Sequence, residues 1–126
     1  MAEKKKILIV DDEADERDWL STFFEDSGYD TATAVDGEEG FDKAQKEGID
    51  LITLDISMDN QSGIRMFRNL QENPSTASIP VIMITGVARE FKQYIERARQ
   101  VHPPDGYFEK PVDRNALLGK VQELIG

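Results

Sequence analysis

A chain of 126 residues, 39% of them hydrophobic, is one domain large enough for a real core and too apolar for a disordered acidic tail. With 25 acidic residues against 15 basic ones, the formal net charge of -10 argues against a nucleic-acid binder and against adsorption on an anionic membrane. The absence of cysteine excludes disulfides, thiolate chemistry and Cys-type zinc sites, and fits a reducing cytoplasm.

Lys4-Lys5-Lys6 before Ile7 to Val10 has the outline of a signal peptide. The apolar stretch is shorter than the roughly 7 to 15 residues such a peptide needs, and acids follow at once. No apolar run approaches the roughly 18 residues of a membrane helix. Ile7-Leu8-Ile9-Val10 reads as a first buried strand, ending in Asp11-Asp12. Ala14 to Ser27 places Trp19, Leu20, Phe23 and Phe24 on one helical stripe, with Gly28 just past its end. Thr31 to Val35 is a weaker strand, rich in Thr and Ala and expected at the periphery of the sheet. Asp36-Gly37 is a turn signal, and Glu38 to Lys46 a second helix with Phe41 and Ala44 inward, stopped by Gly48.

Ile49 to Leu54 is the third strand and ends in Asp55. Ser57 to Gly63 reads as a polar loop, and Ile64 to Leu70 as a third helix with Ile64, Phe67 and Leu70 on the core side. Val81-Ile82-Met83-Ile84 is the fourth strand and runs into Thr85. Ala88 to Gln100 carries Phe91, Ile95 and Ala98 at helical spacing, and His102-Pro103-Pro104 must end that helix. Tyr107-Phe108 is a short fifth strand followed by Glu109 and Lys110-Pro111. Asn115 to Ile125 is the last helix, with Leu117, Leu118, Val121, Leu124 and Ile125 on its apolar face. Strand and helix signals alternate throughout, the pattern of a parallel sheet with helices on both faces. No internal repeat, linker or second domain interrupts it.

In an open α/β sheet, ligands bind outside the carboxyl ends of the strands, where the strand order reverses. This sequence directs Asp11, Asp12, Asp55, the hydroxyl of Thr85 and the ammonium of Lys110 to that edge. Adjacent carboxylates at about 4 Å repel by about 1 kcal/mol in water and by about 4 kcal/mol at an effective dielectric of roughly 20. A hard divalent cation relieves such repulsion, and Mg2+ accepts one or two carboxylates together with phosphate oxygens. Taken alone, the Asp pair reads as a cap, with Asp12 capping the helix that begins near Ala14; taken with Asp55, it reads as a metal site. A carboxylate beside a bound cation can attack phosphorus and form an acyl phosphate. Lysine is usually a solvated surface residue, but Pro111 after Lys110 fixes a turn that can aim the ammonium inward. Thr85 alone reads as a strand residue, and Tyr107 as core with an amphipathic ring able to sit buried or exposed. Gly86 leaves room beside Thr85.

In this order and at these strand ends, Asp11-Asp12, Asp55, Gly63, Thr85 and Lys110-Pro111 resemble the receiver domain of bacterial two-component response regulators, the CheY-like family. The resemblance covers roughly Lys5 to Leu124. It implies a flavodoxin-like, doubly wound sheet of five parallel strands in the order 2-1-3-4-5, with five flanking helices. Residues 1–126 are expected to form a single receiver domain without an output domain. By the resemblance, Asp55 is the phosphoacceptor, served by a sensor histidine kinase or a phosphotransfer protein. Mg2+ is held by Asp12, Asp55 and the backbone carbonyl of Ser57, with Asp11 acting through water. Lys110 contacts the phosphoryl group, and Thr85 and Tyr107 form the switch pair. The implied output is a downstream protein, bound through the fourth helix, fifth strand and fifth helix. Such a protein assists only its own phosphotransfer and autodephosphorylation and is not a turnover enzyme.

Two rival readings use the same features. A Mg2+-dependent aspartate-nucleophile phosphatase places a second Asp two residues after its nucleophile and a Thr two further on, where this chain has Ser57 and Asp59. A flavodoxin-like cofactor binder shares the fold, but an acidic edge is a poor site for a flavin phosphate. Three departures from the receiver pattern also stand out. Asp59 replaces a frequent proline and adds negative charge near the cation. Val101-His102-Pro103-Pro104 replaces a small Gly-Ala pair before the fifth strand. Val87, two residues after Thr85, is apolar at a position that the family links to dephosphorylation rate. The expected consequence is restricted water access and a long-lived phosphoryl group. Val87→Glu should therefore shorten the phosphorylated half-life in a phosphate-release assay; an unchanged half-life contradicts this reading.

Overall fold

The computed structural model describes residues 4–55, 62–86 and 102–126. Five strands, β1 (Lys6–Val10), β2 (Asp30–Ala34), β3 (Leu51–Leu54), β4 (Val81–Thr85) and β5 (Gly106–Glu109), form one parallel sheet in the order β2-β1-β3-β4-β5. The central positions go to the segments with continuous aliphatic runs. Every residue of β3 and β4 and four of the five in β1 are buried, as strands covered on both faces require. β2, with its Asp-Thr-Ala-Thr-Ala sequence, occupies an edge. The strand expected from Ile49 begins at Leu51 instead, because the Asp50 carboxylate accepts the backbone N–H of Lys6 at 2.8 Å ahead of the first paired residue.

Side chains alternate across the sheet, so each strand divides its residues between two cores. Leu8, Val10, Ile52, Leu54, Val81 and Met83 face one side and pack with Met66, Phe67 and Leu70. Ile7, Ile9, Leu51, Ile82 and Ile84 face the other and pack with Leu20, Phe24, Leu117 and Val121. Helices α2 (Gly37–Lys46) and α3 (Ser62–Glu72) thus cover the first face. α1 (Ala14–Asp26) and the C-terminal helix (Arg114–Ile125) cover the second.

The helix ends follow local chemistry. α1 stops where Gly28 adopts φ 98°, with its N–H bonded to Glu25 O and the Tyr29 N–H bonded to Phe24 O. That is a Schellman ending, which favours glycine at the left-handed position. The Tyr29 ring packs edge-on against Phe24 at 6.4 Å between centroids. α2 begins one residue before the expected Glu38 because Asp36 caps it, accepting the Glu39 N–H at 2.8 Å. The Glu39 carboxylate in turn accepts the Val35 N–H. The Lys43 ammonium donates to Thr33 O at 2.6 Å, occupying a carbonyl on the edge strand that would otherwise be open to another chain. The C-terminal helix starts after Asp113, whose carboxylate accepts the Ala116 N–H.

α3 starts at Ser62, two residues before the expected Ile64, which moves Gly63 from the predicted loop into the first helical turn. The start of β5 is tied down on both sides. The Asp105 carboxylate accepts the Val81 N–H, and the Gln71 amide both donates to His102 O and accepts from His102 N. The predicted helix Ala88 to Gln100 lies outside the described residues, as do Ser57, Asp59, Val87 and Val101. No described helix is long and apolar enough to cross a membrane.

Two glycines separate packing from helix propensity. A Cβ on Gly40 of α2 would lie 2.9 Å from both Met66 Sδ and Val10 Cγ2, so Gly40→Ala should destabilise the domain by about 1–3 kcal/mol. A Cβ on Gly119, on the exposed side of the C-terminal helix, meets nothing within 4 Å, so Gly119→Ala should stabilise the domain by about 0.5–1 kcal/mol. Urea unfolding of the two variants checks both signs.

Candidate functional site at the carboxyl edge of the sheet

Sheet register and side-chain alternation together assemble a polar site. Val10 pairs with Leu54, so the residues that follow them, Asp11 and Asp55, stand beside each other as the two strands end. The Asp55 N–H still bonds to Val10 O, and the Asp11 N–H to Ala34 O. By alternation, Asp11 follows Ile7 and Ile9 and Asp55 follows Leu51, so both carboxylates lean toward the face covered by α1 and the C-terminal helix. Lys110, two residues after Phe108, comes to the same side from β5.

Lys110 Nζ lies 2.9 Å from Asp55 Oδ2, 3.4 Å from Asp11 Oδ2 and 3.8 Å from Glu13 Oε1. The two aspartates are almost sealed from water, at 2% exposure for Asp11 and 1% for Asp55. Asp12 and Glu13 sit at the mouth and are exposed. One carboxylate oxygen from each of Asp11, Asp12, Glu13 and Asp55 lies within 4.8 Å of the others. Among the described residues, three of these acids, Asp55, Asp11 and Glu13, converge on the Lys110 ammonium, with Asp12 beside them. All four donors are hard oxygens, and their charge exceeds what Lys110 can balance, so the set fits a divalent cation such as Mg2+. The peptide bond between Lys110 and Pro111 is cis.

The electrostatics show the same imbalance. Burial pushes the Asp11 carboxyl up from an ordinary 3.8 to about 6. The hydrogen bond from the Glu13 N–H works against that rise, the charge of Asp55 adds to it, and Lys110 offsets only part of it. For Lys110, burial disfavours the charged form. The hydrogen bond and charge of Asp55, followed by the charges of Asp11 and Glu16, outweigh burial and raise its pKa.

The cap expected of Asp12 does not form: the N-cap residue is Glu13, and it is Asp11 that bonds to the helix start. Its Oδ1 accepts the Glu13 N–H at 2.9 Å, and the N-cap residue Glu13 makes no side-chain cap of its own. The Asp12 carboxylate is thereby left at the mouth instead of being spent on the helix.

Thr85 ends β4, fully buried, and its carbonyl accepts the Lys110 N–H. Tyr107 is half-buried on β5, paired with Met83 and packed on the α2–α3 face. Thr85 lies two residues beyond Met83, so by alternation it points to the same face as Tyr107. The structure thus brings Asp11, Asp12, Asp55 and Lys110 together, with Thr85 ending the adjacent strand and Tyr107 further down β5. Ser57, the remaining expected ligand, lies outside the described residues. Two residues were missed from sequence. Glu13 extends the acid run to three consecutive residues, a visible signal. Arg17, four residues further along α1, donates to Asp11 O at 2.7 Å and gave no sign beyond its helical spacing.

Residues 7–122 match the family model described as the response regulator receiver domain. The alkaline phosphatase synthesis transcriptional regulatory protein PhoP of Bacillus subtilis is 34% identical over 121 residues, covering 96% of this chain and 48% of that protein. The DNA-binding dual master transcriptional regulator RpaA of Synechocystis is 33% identical over 120 residues, covering 95% of this chain and 48% of that protein. The chain therefore spans about half the length of these curated relatives. Among solved structures, a CheY-like receiver domain protein from Methanospirillum hungatei superposes with a TM-score of 0.83 at 30% identity, covering 96% of this chain and 93% of the other. Chemotaxis response regulator CheY4 of Vibrio cholerae gives 0.81 at 29% identity, covering 97% and 99%.

The raised pKa of Asp11 carries a sign for stability. A carboxyl whose folded pKa exceeds its unfolded value binds more protons when folded. Its contribution is present at low pH and is lost as pH rises from 3.8 to about 6. In metal-free buffer, Asp11→Asn should remove that loss and stabilise the domain by about 1–3 kcal/mol at neutral pH. Thermal melts of both proteins on either side of pH 6 test this; a variant less stable than wild type at neutral pH contradicts it.

Proposed function

The chain belongs to the response regulator receiver domain family, and on that premise we propose that it accepts a phosphoryl group on Asp55 from the phosphohistidine of a sensor histidine kinase or phosphotransfer protein. The observation that carries this reading is the sealed Asp55 carboxylate, held 2.9 Å from Lys110 Nζ among three further acids. An Asp55 oxygen forms the new bond to phosphorus as the bond from phosphorus to the donor nitrogen breaks. The leaving imidazole keeps the electron pair. Lys110, already at Asp55, meets the incoming phosphoryl oxygens and offsets their charge.

Asp12, Asp55 and the backbone carbonyl of Ser57 are the proposed Mg2+ ligands, with Asp11 acting through water. Glu13 belongs to the same acidic group and adds charge at its mouth. Mg2+, when bound, neutralises charge on the carboxylates and the phosphoryl oxygens.

Phosphorylation adds about 1.5 to 2 negative charges at Asp55. That charge acts only if two conformations interact with it differently. Thr85, ending the next strand, supplies the difference by donating its hydroxyl to a phosphoryl oxygen. Tyr107, on the same face, turns into the space that Thr85 leaves. A shift from 1:99 to 99:1 takes about 5.5 kcal/mol of differential interaction, and smaller shifts take less. The output passes to a downstream protein through β5, the C-terminal helix and the predicted helix at residues 88–100. The work is done in the cytoplasm, without turnover of a separate substrate.

Asp55→Ala should abolish incorporation of label from acetyl phosphate in the presence of Mg2+, while the variant remains folded by circular dichroism. Labelling that persists in the folded variant overturns the assignment.

A further inference from the structure

Arg17 lies in the second turn of α1, half-buried, and reaches back to the strand that α1 follows. Its guanidinium donates to the backbone carbonyl of Asp11 at 2.7 Å. That carbonyl has a specific problem. The β1–β2 ladder ends with Val10 opposite Ala34, and its last rung is the Asp11 N–H bonded to Ala34 O. The Asp11 carbonyl therefore lies beyond the last paired residue of β2, at a nearly buried residue. A buried carbonyl without a partner is costly, and a charged donor makes a short, strong bond.

The consequence extends to the acids. Asp11 is gripped at three points: its N–H by Ala34, its carbonyl by Arg17 and its Oδ1 by the Glu13 N–H. With these fixed, Asp11 Oδ2 faces Lys110, and the chain turns at Asp12 so that the Asp12 oxygen joins the acidic group. Two side chains hold Asp11, Lys110 at Oδ2 and Arg17 at the carbonyl, and of these Arg17 ties the loop to the helix that follows it. We propose that Arg17 is the positioning residue of the cation site: it holds the turn at residues 11 to 13 so that Asp11 and Asp12 present their carboxylates together. This rests on the reading of that site as one for Mg2+.

Two effects of Arg17 on a cation oppose each other, which makes the test decisive. As a bare positive charge near the acids, Arg17 would weaken cation binding, and its removal would tighten it. As a positioning group, its removal should weaken binding, by roughly tenfold if it behaves as other groups that orient metal ligands do. Arg17→Met keeps a long unbranched side chain and removes the donor. Arg17→Lys keeps one donor and the charge.

The experiment is calorimetric titration of unphosphorylated protein with Mg2+ alone, with melting temperature recorded for each variant. Labelling by acetyl phosphate is followed across Mg2+ concentrations in parallel. Arg17→Met is expected to raise the Mg2+ dissociation constant roughly tenfold, to shift half-saturating Mg2+ for labelling by the same factor and to keep the maximal labelling rate at saturation. Arg17→Lys is expected to recover most of the affinity. Should Arg17→Met fail to fold, Arg17→Gln takes its place, with a smaller loss in the same direction. Equal or tighter Mg2+ binding in the folded methionine or glutamine variant overturns the positioning role. Absence of Mg2+ binding by the wild-type protein instead overturns the metal reading itself, so the two failures are distinct.

Discussion

The pairing of Val10 with Leu54 brings two carboxylates side by side at a rim from which water is nearly excluded. Ionised neighbours in such a place repel strongly. Lys110 is the cation within reach among the described residues, and it serves Asp55 at 2.9 Å, Asp11 at 3.4 Å and Glu13 at 3.8 Å. One ammonium divided among so many acids leaves the site short of positive charge. Burial is the main cause of the rise of Asp11 to about 6, and the charge of Asp55 adds to it. A sheet with such an edge gives up stability to keep an anionic hollow, as sites built to accept a charged ligand do.

The strands divide the polar residues of the edge between two faces by parity. Asp11, Asp55 and Lys110 lean toward the face packed under α1 and the C-terminal helix. Thr85 and Tyr107 belong to the opposite face, over α3. β5 contributes to both, carrying Tyr107 on one face and Lys110 just past its end. β4 joins them, because the Thr85 carbonyl accepts the Lys110 N–H. A change of charge at Asp55 and a change of packing at Tyr107 therefore share a pair of hydrogen-bonded strands. The Gln71–His102 and Asp105–Val81 bonds hold the far end of β5.

Most of this was legible in the residues. The apolar runs at 7–10, 51–54 and 81–84 read as buried strands, as they are, and their terminal acids marked the edge where the acidic group gathers. The strand order came with the family resemblance, and the sheet has that order. Boundaries were harder, because they depend on which side chain takes which orphan N–H. Asp36 moved the start of α2, Asp50 shortened β3, and α3 took in Ser62 and Gly63. Asp12, next to the helix in sequence, is the expected cap, and only the fold shows that Asp11 spends an oxygen on the Glu13 N–H while Asp12 stays at the mouth. Arg17 was invisible for a similar reason: its partner is a backbone carbonyl, and backbone groups leave no trace in a sequence.

The central claim is that this acidic edge is incomplete without a divalent cation. Its most direct test is urea unfolding of the unmodified wild-type protein with and without Mg2+ at matched ionic strength. A cation bound only by the folded site must stabilise it by mass action, by about 2.7 kcal/mol when Mg2+ is present at about 100 times its dissociation constant. The account predicts an unfolding midpoint that climbs with Mg2+ in that way. Superimposable unfolding curves at all Mg2+ concentrations would contradict it.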